Sequence, residues 1–173
     1  MKDPAAPAWL PDLIEFDWNL YQQSIERAYE IYTRDFLEEA GRPLFRGKRM
    51  GLKRHPTFDG KDATFWHFVT EGKIEDKRTP DRSRIERIAW PRAILVELNA
   101  REPRVFTWRD NRPGPQRWLV TLGDFSYLVV VEERSEYALP WTAYPVTHDH
   151  QRLKLRREYD AWQRAQKAGA ASR

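Results

Sequence analysis

The sequence predicts an α+β fold, with N-terminal helices packed on a C-terminal antiparallel sheet of about four strands and closed by a C-terminal helix. Three observations predict it. Between Asn19 and Glu39, Tyr21, Ile25, Ala28, Tyr29, Tyr32 and Phe36 recur at helical spacing, one apolar face of a 3.6-residue period. From Arg104 onward the texture changes to short runs of aromatic and β-branched residues between turn signals. The chain then runs into a polar, basic stretch whose Leu153, Leu155, Tyr159 and Trp162 give it one apolar side.

The elements follow in order. Residues 1–173 read as one domain, because no linker long enough to divide it is present and no repeat is visible. Residues 1–18 are proline-rich and read as an extended arm. Residues 19–100 are mainly helical. The first helix stops at Gly41, Arg42 and Pro43. Leu44 to Lys53 alternates loosely and is either a short strand or a structured loop. Asp59-Gly60 marks a reversal. Asp62 or Thr64 then caps a short helix that Gly72 ends. Thr79-Pro80-Asp81 opens another helix to about Ile88, and Pro91 starts a further one, since proline suits a first helical turn. Residues 101–147 hold the strands: Val105 to Trp108, Arg117 to Leu122, Phe125 to Glu132 and Tyr137 to Val146, an antiparallel meander. Residues 148–166 form the last helix, and Ala168 to Arg173 a frayed tail.

Composition narrows the function classes. The absence of cysteine removes disulfides, thiolate metal sites and cysteine nucleophiles. The opening residues carry acids and prolines and no unbroken apolar stretch, so neither a signal peptide nor a membrane span is expected, and a cytoplasmic location is the default. Charge is nearly balanced at +4, but it is unevenly placed. Arg42, Arg46, Lys48, Arg49, Lys53 and Arg54 follow one another without an acid, and five arginines between Arg101 and Arg117 face two acids. Such clusters read either as a nucleic-acid surface or as a solvated mixed exterior.

No phosphate-binding glycine loop, zinc-protease motif or nucleophile-elbow serine occurs. His148 and His150 are the only close histidine pair and read as loop residues; no metal site and no cofactor are expected. His67, between Trp66 and Phe68, is either a hydrogen-bonded histidine at the edge of the core or a general acid or base. On the last strand Thr142 and Tyr144 share a face, because side chains alternate. Arg134 opens the same hairpin. Together His67, Arg134, Thr142 and Tyr144 have the chemistry of RNA self-cleavage: a proton-transfer group, a guanidinium for phosphorane charge, and hydroxyls for its oxygens. Arg46, Lys48, Arg49, Lys53, Arg82 and Arg112 are the candidate RNA-binding cations.

The segments Phe45 to Pro56, Asp59 to His67, Arg78 to Arg82 and Glu86 to Arg92 resemble a set of bacterial phage-related proteins, as do Glu133 to Tyr137, Trp141 to Val146 and Lys154 to Tyr159. The ending also resembles that of nucleases in the barnase, EndoU, colicin and RelE fold group. The resemblance implies a four-stranded antiparallel sheet and metal-independent cleavage of tRNA or mRNA. It further implies toxin or phage-conflict biology, with a possible antitoxin or immunity protein as partner. His67, Arg134, Thr142 and Tyr144 are the positions carried over; a second catalytic histidine has no counterpart. The competing reading is a non-catalytic RNA- or protein-binding module on the same scaffold. Convergence of His67, Arg134 and Thr142 on one basic, concave site favours the nuclease; dispersal, or burial of His67, favours the module.

Overall fold

A computed structural model describes residues 1–4, 6–72 and 74–171. The chain opens with a 3-10 turn, Trp18–Leu20, capped by the Asp17 carboxylate, which accepts from the Asn19 N–H. Helix α1 (Tyr21–Tyr32) runs into a π-helical turn over Thr33–Leu37. Ile25, Ala28, Tyr32 and Phe36 form its buried face. Arg42 closes the end by donating to the Phe36 and Leu37 carbonyls, which a helix terminus leaves without intrahelical partners.

Strands β1 (Leu44–Phe45) and β2 (Lys48–Met50) make a tight hairpin. Its two central residues, Arg46 and Gly47, both have positive φ, the geometry that suits the twist of two-residue hairpins. Helix α2 (Ala63–Val69) begins at Asp62, whose carboxylate accepts from the Phe65 N–H and also from the Tyr32 hydroxyl at 2.7 Å. That one buried acid therefore caps α2 and ties it to α1. Strands β3 (Thr70–Glu71) and β4 (Thr79–Pro80) form a small separate ribbon, then α3 (Arg82–Glu86) and α4 (Trp90–Leu98) follow. Asp81 caps α3, and Pro91 lies in the first turn of α4.

Four antiparallel strands come next: β5 (Val105–Arg109), β6 (Arg117–Leu122), β7 (Tyr127–Glu133) and β8 (Tyr137–Pro145). The expected sheet of about four antiparallel strands is thus correct for this half and incomplete as a whole. The sheet has six strands in the order β1-β2-β8-β7-β6-β5 and is mixed, because β2 pairs parallel to β8 through Arg49↔Tyr137 and Met50↔Ala138. The half over residues 19–100 is accordingly not purely helical.

Both sheet faces are buried. Trp118, Val120, Leu122, Tyr127, Val129 and Val131 point into the larger core with Phe36, Phe65, Phe68 and Ile94 from the helices. Leu119, Leu128 and Val130, on the other face, pack with Trp108 and Phe125 under α5 (Asp149–Ala171). Tyr159 of α5 stacks on Phe106 at 4.7 Å. The last helix is longer than the sequence predicts: Ala168 to Ala171 continue it, and Ser172 and Arg173 lie outside the described residues.

Beyond Ala138, β8 has no strand on the side away from β7 among the described residues. Helices α2 and α3 pack there instead. A bulge falls on the same stretch: Thr142 faces Val130 and Pro140 faces Val131, so Trp141 is the extra residue. Bulges re-aim side chains and end regular pairing at sheet edges. This covered, bulged edge positions the site.

Candidate functional site

His67 lies in the last turn of α2, against the bulge. Its Nδ1 is 3.2 Å from the Trp141 carbonyl oxygen, and its Nε2 is 2.8 and 3.0 Å from the two Glu75 carboxylate oxygens. A carbonyl and a carboxylate only accept, so each ring nitrogen is placed to donate to its partner. The His67 residue is 4% exposed, and Glu75, on a short 3-10 turn over Glu75–Lys77, is the half-exposed member of the pair. Lys53 Nζ lies 3.4 Å from the same carboxylate. Burial alone would lift the Glu75 carboxyl; the His67 hydrogen bond and charge, reinforced by Lys53, hold it below its ordinary value.

The Thr142 hydroxyl donates to the His67 carbonyl at 3.0 Å. Arg84, from α3, donates Nη1 to that carbonyl at 3.4 Å and to the Thr142 oxygen at 3.3 Å. Its guanidinium also lies over the Tyr144 ring, 5.0 Å from the centroid, with Asp81 at 3.4 Å on the other side. Burial raises the Tyr144 phenol above its ordinary value, against the opposing charge of Arg84. Three of the four residues that the sequence singled out, His67, Thr142 and Tyr144, therefore gather around one arginine.

That arginine is not Arg134. Arg134 sits in the β7–β8 turn, donating its N–H to the Tyr137 carbonyl, and pairs with Glu132. From Tyr137 to Thr142 is roughly 15 Å along a strand, so Arg134 belongs to the opposite end of β8. There Glu132, 1% exposed, lies between Arg134 and Arg117, with Arg117 Nε 3.5 Å away. Between the two ends is the Trp141 ring, flanked by Arg117 at 4.7 Å and Lys53 at 5.4 Å and met edge-on by His67 at 5.3 Å.

The sequence missed Arg84 and Glu75. Arg84 had a faint signal: it precedes Ile85, the buried side chain of a helix that Asp81 caps, and so stands next to the inward face. Glu75 had none, because its place follows from the β3–β4 ribbon, whose two-residue strands carry no periodicity.

The six candidate RNA-binding cations are spread widely, and each is engaged. Lys48 pairs with Glu133 at 2.9 Å, Lys53 with Glu75, Arg82 with Glu86 at 2.7 Å and Arg112 with Asp110 at 2.8 Å. Arg49 pairs with Glu39, and Arg46 lies over Trp118 at 4.2 Å. They compose a mixed-charge exterior in which every one of these cations has a partner. Among the described residues no group of three or more His, Asp or Glu side chains has the arrangement of a metal site.

Glu75 has a second neighbour, a cleft of about 730 Å³. Tyr21, Phe58 and Trp66 supply its aromatic walls, Pro56 and Pro80 its edges, and Glu75 part of its rim. The Glu75 carboxylate therefore faces His67 and also reaches an open, mostly apolar space. No protein-family model, no curated protein and no solved structure matches this chain.

Proposed function

We propose that the chain is a metal-independent endoribonuclease in which Glu75 and His67 form the acid–base pair. The observation that carries this reading is the His67 Nε2–Glu75 contact at 2.8 Å, with Nδ1 anchored to a main-chain carbonyl. That anchor leaves Nε2 as the working nitrogen. The carboxylate, held ionised, takes the proton of the 2′-hydroxyl. The 2′-oxygen then bonds to phosphorus, the bond from phosphorus to the 5′-oxygen breaks, and Nε2–H protonates the departing oxygen. Lys53, 3.4 Å from Glu75, supplies positive charge to the phosphorane. Thr142 and Arg84 position the His67 main chain and do not touch RNA, and Tyr144 supports Arg84. Arg134 has no part in the chemical step. RNA parts Glu75 from His67 as it binds, and half-exposed Glu75 is the member free to swing.

A second reading, a binding module without chemistry, is favoured by three observations: His67 is buried, Arg134 stands apart from His67 and Thr142, and the candidate cations are paired, which leaves them few free contacts for phosphate. The two separate in one experiment. The wild type and His67→Gln, matched by circular dichroism and melting, are incubated with single-stranded RNA in excess chelator. The nuclease reading expects fragments ending in 2′,3′-cyclic phosphate from the wild type only. Intact RNA with both proteins, or equal cleavage by both, overturns it.

A further inference from the structure

The aromatic cleft carries an inference of its own, independent of the nuclease reading. Two large aromatic side chains lie open at it: Phe58, in its lining, is 70% exposed, and Trp18, against the lining residue Tyr21, 54%; Leu20 and Ile74, next in sequence to the lining residues Tyr21 and Glu75, are 49% and 54% exposed. Trp18 stacks on the cleft residue Tyr21 at 6.1 Å, and Phe58 meets Trp66 edge-on at 5.3 Å. Solvent-facing apolar groups of this size, gathered around a concavity, mark interaction sites. Aromatic walls edged by proline are the lining that extended, proline-containing peptides dock against.

The charges around the cleft select the occupant. Two cations at the cleft, Lys61 and Arg78, are spent on neighbours within the chain. Lys61, 6% exposed at its side chain, is held by Glu26 at 2.5 Å and Asp59 at 3.4 Å, and Arg78 spends its donors on Thr70 and the Gly72 carbonyl. The carboxylates Glu26, Asp59 and Glu71 are exposed or half-exposed, whereas Glu75 is turned to His67 and Lys53. Asp59 is close enough to the cleft for its charge, after burial, to raise the Tyr21 phenol. A polyanion meets this rim unfavourably. We infer that the cleft docks an extended segment of a partner protein in which apolar or proline side chains are flanked by arginine or lysine. The apolar side chains enter between Phe58, Trp66 and Tyr21, and the basic flanks meet the exposed carboxylates.

The test uses the full chain and two labelled peptides with the same Pro-Leu-Trp-Pro centre, one flanked by arginines and one by glutamates, with hexauridine as third probe. Fluorescence anisotropy should show the arginine-flanked peptide binding about tenfold or more tighter than the other. Phe58→Ala, at a side chain exposed enough to leave folding intact, should cost about tenfold in that affinity with an unchanged melting temperature. Asp59→Asn should narrow the gap between the peptides. The two peptide affinities are read in the absence of RNA and of any cleavage, so failure of the nuclease reading does not touch this one. Equal affinity for both peptides, indifference to Phe58→Ala, or displacement of the peptide by hexauridine overturns the inference.

Discussion

The two ends of β8 solve the same problem differently. At the Tyr137 end, β2 pairs with the strand, and the polar groups beyond it settle into ion pairs: Arg134 and Arg117 with buried Glu132, Lys48 with Glu133. At the Thr142 end, helices take the place of a strand, and the bulge presents the Trp141 carbonyl to the His67 ring instead of to a ladder. Thr142 and Arg84 donate in turn to the His67 carbonyl, and Arg84 to the Thr142 hydroxyl oxygen. An end closed by a strand leaves its arginines to pair with acids; an end closed by helices brings a histidine, a threonine and an arginine into fixed register. On the nuclease reading, the difference separates a structural cluster from one with the order that proton transfer requires.

The largest expected effect tests that separation directly. Under the nuclease reading, Arg84→Ala removes the donor shared by the His67 carbonyl and the Thr142 oxygen, leaving the Thr142 bond alone to hold the His67 main chain, and cleavage should fall about 100-fold, the usual cost of misplacing reacting groups by an ångström. Arg134→Ala, at the other end, should change cleavage by less than about threefold, in keeping with an interaction outside the chemical step. Initial rates on a labelled single-stranded RNA measure both. The opposite order would return the chemistry to Arg134 and break the comparison.

Next in size is the element that makes the ends different. Helix α2 holds His67 at the bulge, and Asp62 holds α2. Asp62→Ala removes its N-cap, worth about 1 kcal/mol, and leaves the Tyr32 hydroxyl buried without its partner, worth about 1–2 kcal/mol more. Chemical denaturation should therefore show a loss of about 2–3 kcal/mol. Lys48→Ala, which breaks a partly exposed pair at the strand-closed end, should cost less than about 1 kcal/mol. Comparable losses would mean that α2 is not the element on which the helix-closed end depends.

Much of this frame was legible in the sequence. Asp62 reads as one of two candidate caps, Thr79-Pro80-Asp81 as the opening of a helix and Pro91 as a helix start, and β6 runs over the six residues, Arg117 to Leu122, whose alternation announces it. Thr142 and Tyr144 share a face because strand parity is local, and no bulge falls between them. What escaped depends on contacts distant in sequence. β1 and β2 are too short to show a period, so their parallel pairing with β8 left no trace. The choice between Arg84 and Arg134 is one of the same kind. Arg134 is eight residues from Thr142 along the chain and at the wrong end of the strand, whereas Arg84, 58 residues away, is in contact. Sequence proximity favours Arg134, but a hairpin turn and a strand middle diverge as the strand extends, and the fold brings Arg84 to Thr142 instead.

The smallest effect is a pH dependence that also divides the two ends. The Glu75 carboxyl is held below its ordinary 4.5, so the stability it contributes is fully present above that value and is lost as pH falls through its lowered folded value. The stability difference between wild type and Glu75→Gln should therefore be constant near neutrality and shrink progressively below about pH 4.5. His67 is the main source of the lowering, ahead of Lys53, so the shrinkage should be much reduced in a His67→Gln background. Glu133, at the other end, is lowered by Lys48, with Trp118 Nε1 also donating to it. Its own acid dependence, read from Glu133→Gln, should survive His67→Gln unchanged. Denaturant midpoints between pH 3 and 7 are measured for the wild type, the three single variants and the two double variants carrying His67→Gln. If His67→Gln altered both carboxylates alike, the two ends of β8 would be one electrostatic unit joined through the Trp141 ring, and the division drawn between them would fail.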